Sequence, residues 1–366
     1  MASKVYFTGM RSDFDSNLLE RLDKMIARAG LLGIATENDI LAVKLHFGEK
    51  GSTASLRPAY VRTVVDAMAK MGSRIFLTDT NTLYVGSRSD SVRHLVTASR
   101  HGFSYGSMGV PVIIADGLKG TNHEVVEVKG KHFKHVKIAA DISRADSLLV
   151  LTHVKGHELT GVGGALKNLG MGCASRAGKL AMHSDVRPYV SDKCVGCAKC
   201  IEWCPVSAIQ MKAERASIDT ATCIGCAECI VVCPSKAIKF EWSESAVAVQ
   251  EKIAEHAAGV LARKRGKAGY VNFLVDIAPQ CDCYPFSDAS VVPDIGILAS
   301  LDPVAIDKAS VDLINGQPGV PGTALKACEP GADKLRSLYP ELDWTAQIRH
   351  AEEMGLGSSV YELVKV

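Results

Sequence analysis

No apolar run in this chain of 366 residues approaches the roughly 18 that a membrane-spanning helix needs. Its opening residues, "MASKVYFTGMRSDFDSN", lack a basic stretch followed by a long apolar one, so no secretory leader is expected. A dominant charge is missing as well. The formal net charge is +2, which gives no reason to expect nucleic acid or an anionic membrane as a partner. The short basic runs "RKRGK" (263–267) and "KHFKHVK" (131–137) read as solvated surface, and the first has no interleaved aromatics on which bases could stack. There is no P-loop. There is no G-x-G-x-x-G fingerprint either, because Leu166 stands where its third glycine would fall. A disulfide framework is also absent. Eight of the twelve cysteines lie in two runs, and the other four (Cys173, Cys281, Cys283, Cys328) follow no pairing pattern. A reducing cytoplasm fits this best. The apolar content of 47% suffices for a sizeable core in two or three domains.

What is present is unusually specific. "CVGCAKCIEWCP" (194–205) and "CIGCAECIVVCP" (223–234) are both Cys-x₂-Cys-x₂-Cys-x₃-Cys-Pro. Small bacterial ferredoxins hold [4Fe–4S] clusters with this spacing, the fourth cysteine of each run serving the other cluster. The expected metal ligands are therefore Cys194, Cys197, Cys200 and Cys233 for one cluster, and Cys223, Cys226, Cys229 and Cys204 for the second. Pro205 and Pro234 turn the chain, and Ile209 and Ile238 are expected to pack below. Zinc is the competing metal, but two four-cysteine runs each ending in proline favour the cubane. Residues 187–243 carry seven basic and six acidic side chains. A freely diffusing carrier would gain from a strongly charged face, so this balance favours a wire tethered to its own host.

Either side of this module, strands and helices alternate. "KVYFT" (4–8), "ILAVKLHF" (40–47), "RIFLTD" (74–79), "VPVIIAD" (110–116), "SLLVLTH" (147–153), "YVNFLVDI" (270–277) and "DIGILAS" (294–300) read as strands. Residues 17–29, 57–72, 91–102, 244–264 and 303–314 read as helices, the second with Pro58 in its first turn. "HEVVEVK" (123–129) and "HVKIAA" (135–140) suggest a hairpin on one edge. The expectation is an α/β fold, a largely parallel sheet with helices on both faces, interrupted by an inserted α+β ferredoxin domain. The domains would be 1–186 (host, first part), 187–243 (2[4Fe–4S] insert) and 244–366 (host, second part).

Several strands end on residues that carry chemistry. His46, Asp79, His153 and Asp302 are the catalytic candidates, because ligands of open α/β sheets bind beyond the carboxyl ends of the strands. Asp116, before Gly117, reads as a turn former. In "THVKGHELTGVGGALKNLGMGC" (152–173), Gly161, Gly163 and Gly164 crowd a helix start that carries Lys167 and Asn168. Lys155 and His157 lie nearby, and together this suggests an anion or cofactor site. "CDC" (281–283) offers two thiols that could bind metal, relay electrons, attack a substrate or simply be buried.

Taken together, "AVKLHFGEKG", "RPAYVRTVVDAM", "FLTDTNTLYVGSR", "GVGGALKNLGMGC", the two cysteine runs, "VNFLVDIAPQCDC" and "ILASLDPVAIDKAS" resemble the family known as domain of unknown function 362, in its long iron–sulfur form. The resemblance implies an α/β host with a 2[4Fe–4S] insert. It also implies that His46, Asp79, Thr80, His153, Lys167, Asn168, Cys281, Cys283 and Asp302 matter, without assigning a reaction. The leading expectation is a cytoplasmic redox protein, an oxidoreductase whose clusters pass low-potential electrons to or from a flavin or a small organic ligand. One rival is an electron carrier without catalysis of its own. Another is a metal or sulfur maturation factor using Cys281 and Cys283. The partner would be a redox protein or a small molecule, and a homo-oligomer is compatible with the chain.

Overall fold

The computed structural model describes residues 2–184, 187–241, 244–264, 266–326 and 329–366. Cys328 and the residues at both expected domain junctions, Val186 and Ser243, lie outside them. In chain order the strands are β1 (Ser3–Gly9), β2 (Ile40–Lys44), β3 (Arg74–Asp79), β4 (Val112–Ile114), β5 (His123–Glu127), β6 (His135–Ala139), β7 (Ser147–His153), β8 (Lys155–His157) and β9 (Gly161–Gly163). They continue with β10 (Tyr189–Val190), β11 (Ile209–Lys212), β12 (Arg215–Ile218), β13 (Ile238–Lys239), β14 (Ala268–Leu274), β15 (Gly296–Ser300) and β16 (Tyr361–Lys365).

Eight of these form one sheet in the order β16-β1-β15-β14-β7-β2-β3-β4. Strand β15 is antiparallel to both its neighbours, and every other adjacent pair is parallel. The fold is therefore mixed α/β with a mostly parallel sheet. The central strand β7 is buried along its whole length, which explains its unbroken apolar sequence. Leu148 and Val150 enter the core layer under the helices Ala246–Ala262 and Pro303–Asn315. Leu149 and Leu151 face the opposite layer, under Leu18–Arg28 and Pro58–Ala69. This is the two-residue strand period acting on a sheet covered on both sides.

Helix boundaries follow local chemistry. Asn17 and Ser245 cap their helices by accepting from Glu20 and Ala248 N–H groups, and Pro58 opens its helix where no N–H is needed. The hairpin β5–β6 forms, but as a separate two-stranded sheet and not on the edge of the main one. Strand β16, which pairs with β1, was not anticipated.

The cysteine-rich segment has its own small core, with Cys200, Cys229, Ile209 and Ile238 buried at its centre. The strands near its two ends pair antiparallel, Tyr189 opposite Lys239 and Val190 opposite Ile238. The segment therefore leaves and rejoins the host at neighbouring points.

Candidate functional site

The two cysteine runs fold alike. Left-handed backbone recurs at positions 29 residues apart: Gly196 and Gly225, Ala198 and Ala227, Ser207 and Lys236. Holding alanine, serine and lysine at positive φ is unfavourable, so something specific about each turn requires it. Each copy wraps a hollow. Cys204, Cys223, Cys226 and Cys229 line one, and Cys194, Cys197, Cys200 and Cys233 line the other. Each set of four unites three cysteines of one run with the last of the other. Backbone N–H groups donate to two of the sulfurs, Ala208 to Cys204 at 3.2 Å and Ala237 to Cys233 at 3.1 Å. Among the described residues, no group of three or more His, Cys, Asp or Glu is placed to hold a single metal ion. A cubane instead gives each thiolate a separate iron, and four thiols spread around a hollow with donors to sulfur fit that demand.

The first hollow is the host-facing one. Ala227 and Ile230 pack with Leu83, Leu180 and Phe240 in an apolar seam. Lys137 donates to the Ile224 carbonyl, and Lys119 sits 3.6 Å over the Trp203 ring. Glu228, beside the hollow, lies 3.4 Å from buried Arg176. The Arg176 guanidinium also donates to the carbonyls of Thr82, Lys119 and Ser89.

Beyond the carboxyl ends of β2, β3 and β7 a second, largely buried cluster gathers. Lys44, an unexpected cation in an apolar strand, pairs with Asp79 at 2.9 Å and donates to Asn168 Oδ1 at 2.7 Å. Asp79 also meets Arg88 at 3.2 Å and His94 at 3.5 Å. Burial alone would raise the Asp79 pKa, but Lys44 and His94 outweigh it and hold the carboxyl well below its usual range. Arg88 reaches on to Glu49 at 3.4 Å, to the Tyr84 hydroxyl at 2.7 Å and to Cys283 Sγ at 3.7 Å. His46 Nε2 lies 3.5 Å from the same sulfur. His46 Nδ1 accepts the Gly48 N–H, so the neutral ring carries its proton on Nε2, aimed at Cys283. Burial and the Arg88 charge lower the His46 pKa and favour that neutral ring.

Cys281 completes the pair. It accepts a hydrogen bond from the Cys283 thiol, which is the largest cause of a pKa lowered to about 6; burial opposes this, while Lys167 and Lys155 add to it. Lys167 Nζ lies 3.8 Å from Cys281 Sγ. Between the thiols, Asp282 turns the other way and is clasped by His153 Nδ1 at 2.9 Å and Lys155 at 3.0 Å. Gly156 lets this loop sit close, since a Cβ there would collide with the Pro279 carbonyl.

The structure thus brings together His46, Asp79, His153, Lys167 and Asn168 with both thiols. His153 is fully engaged, its Nε2 facing the Val275 and Asp276 carbonyls, so it holds the loop and offers no open nitrogen. Asp302 does not join them. Because β15 runs against β14, its carboxyl end lies beyond the opposite ends of the strands, where Asp302 caps a helix through Val304 and Ala305 and binds Ser3 and Ser358. The glycines do not cradle an external anion either. Asp307 fills the helix start, accepting from Ala165 N at 2.6 Å and Leu166 N at 2.9 Å. A Cβ on Gly164 would strike that carboxylate, on Gly161 the Trp344 side chain, and on Gly163 the Lys155 stem. These glycines serve packing. Asp116 is the buried turn residue expected, accepting from Asn81. Thr80 donates to the Gly172 carbonyl at 2.8 Å. Glu49, Tyr84, Arg88, His94 and Asp282 were not anticipated. Lys44 alone carried a signal, a cation inside an otherwise apolar strand.

A mostly parallel α/β sheet with a cation-walled thiol pair at its strand ends, joined to a segment of two four-cysteine hollows, defines the class. Within that class, residues 41–312 match the family described as domain of unknown function (DUF362), and the chain belongs to it. No curated protein matches the sequence. Two solved structures resemble the fold only distantly. One is the lactate racemase apoprotein from Thermoanaerobacterium thermosaccharolyticum, with 12% identity over 75% of this chain and 51% of that one, at a TM-score of 0.37. The other is a protein from Thermotoga maritima, with 9% identity over 92% and 58% and a TM-score of 0.39. The chain spans little more than half the length of either.

Proposed function

We propose that this protein is an iron–sulfur electron-transfer protein. Its cysteine-rich segment, a bacterial-type 2[4Fe–4S] ferredoxin module inserted into the host fold, exchanges electrons with the buried site at the strand ends. Bound clusters would supply low-potential, one-electron transfer. Cys194, Cys197, Cys200 and Cys233 would hold the outer cluster, and Cys204, Cys223, Cys226 and Cys229 the host-facing one. The observation that carries the reading is the polar connection between the two sites. Glu228, next to the host-facing hollow, pairs with Arg176; Arg176 donates to the Thr82 carbonyl at 3.1 Å; Thr82 N–H donates to the Arg88 carbonyl at 3.0 Å; and the Arg88 guanidinium reaches Cys283. A carrier docking only on outside partners has no use for such a contiguous route into its own host.

In this scheme Lys167 and Arg88, which flank the two thiols, face the reactant, a flavin or a small organic molecule. His46 is the group placed to move a proton, because its Nε2 points at a reactive sulfur. The test is anaerobic purification and analysis. About eight iron and eight acid-labile sulfide per chain are expected, with Cys226→Ala removing one EPR signal selectively. A preparation with zinc and no sulfide overturns the reading. Flavin bands beyond the broad cluster absorption would identify the reactant.

A further inference from the structure

We propose that Cys281 and Cys283 are a redox-active dithiol pair that exchanges with small organic disulfides, closing to an intramolecular disulfide and giving the host site a two-electron store. Its re-reduction by low-potential electrons rests on the function proposed above; the dithiol–disulfide couple itself does not.

The geometry has three parts. First, the chain turns between the thiols: Tyr284 N–H donates to the Cys281 carbonyl at 3.1 Å, closing a turn. Two extended residues span about 7 Å, just beyond the roughly 4.4–6.8 Å between Cα atoms that a disulfide accepts. The turn shortens that span. Second, the carboxylate between them is held by His153 and Lys155, while Lys167, His46 and Arg88 contact the sulfurs themselves. Third, the two sulfurs differ in setting. Cys281 is 3% exposed and faces the Lys167 ammonium, whereas Cys283 is only half-buried and is flanked by His46 and Arg88.

This asymmetry assigns the roles. Cys283, the accessible sulfur, passes its proton to Cys281 and attacks one sulfur of the organic disulfide, whose S–S bond breaks to release a thiolate. That thiolate takes the proton from Cys281. Cys281 then attacks the Cys283 sulfur, expels the second organic thiolate and forms the internal S–S bond. The dithiol has lost two electrons and one proton, and the organic disulfide has become one thiol and one thiolate. Cations that stabilise the Cys281 thiolate stabilise the reduced pair, so the couple should be more oxidising than an ordinary structural disulfide.

The experiment uses the full-length protein equilibrated anaerobically in glutathione redox buffers, acid-quenched, alkylated and peptide-mapped. The expected result is a reversible, two-electron transition in which the peptide holding 281–283 changes from doubly alkylated to internally linked. In Cys281→Ser, Cys283 should instead accumulate a mixed disulfide with glutathione. Lys167→Ala should slow alkylation of Cys281 about threefold at pH 6.5 and move its pH profile upward by about one unit, while Lys167→Arg restores it. Oxidation that stops at a mixed disulfide in the native protein, links Cys281 elsewhere or leaves 281–283 reduced throughout overturns the proposal. If no clusters form and the pair still cycles, the iron–sulfur reading fails and the dithiol stands. If clusters form and 281–283 never links, the reverse holds.

Discussion

Removing the Asp79 carboxylate should be among the most costly single changes in this protein. Asp79 is 3% exposed and balances Lys44 at 2.9 Å, Arg88 at 3.2 Å and His94 at 3.5 Å. Taking one partner from a buried ion pair costs roughly 3–5 kcal/mol, because the remaining charge is left uncompensated. Here Lys44 would keep Asn168 and the Leu45 carbonyl, and Arg88 would keep Glu49 and Tyr84. Asp79→Ala should therefore fall near the lower end, about 3 kcal/mol. Replacing Lys44 by Met and Asp79 by Leu together should cost at least about 1 kcal/mol less than the sum of the two single changes, since the pair is removed as a unit. Urea denaturation followed by circular dichroism measures both. The pH dependence has a fixed sign. Asp79 is held well below its ordinary value of 3.8, so its stabilisation is complete above about pH 4 and is lost as pH falls toward the depressed pKa. The acid limb of the stability curve should accordingly be shallower in Asp79→Ala. A loss under 1 kcal/mol with an unchanged acid limb would refute the picture of a dry, mutually paired cluster.

Three further outcomes are expected. Excising residues 190–240 and bridging with a short Gly/Ser linker should leave a soluble host domain with cooperative unfolding, because the segment's ends pair at Tyr189 and Lys239; a molten product would place the segment in the host's core. Asp307→Ala should destabilise by about 2–4 kcal/mol, leaving the Ala165 and Leu166 N–H groups and the Asn272 amide without their carboxylate, whereas Asp302→Ala should cost about 1 kcal/mol as a lost helix cap and leave cluster content unchanged, both read from denaturation midpoints. His153→Ala should loosen the loop around Asp282 and raise the exchange of nearby amides without changing cluster reduction by dithionite, since both its nitrogens hold backbone and carboxylate in place.

The sequence by itself determined whatever depends on short-range spacing. Cysteines at fixed intervals announce which thiols share a hollow, and runs such as "SLLVLTH" announce a strand buried on both faces, because side-chain period and ligand reach are local properties. His46, Asp79, His153 and Lys167 were legible for the same reason, as polar endings of apolar strands or a cation beside a glycine-rich turn. The direction of β15 was not. Its apolar run reads identically either way, and only antiparallel pairing with β14 and β1 sends Asp302 to the other end of the strands. Nor could spacing show that Asp307, 142 residues from Ala165, would fill the helix start that seemed open to an anion. Arg88, Glu49 and Asp282 carry no local mark, since a charge becomes a site residue only when burial strips its water and a distant partner replaces it. Tertiary structure alone made that choice, setting a dithiol turn between Lys167 and His46 and linking it through Arg88 and Arg176 to the cysteine hollows.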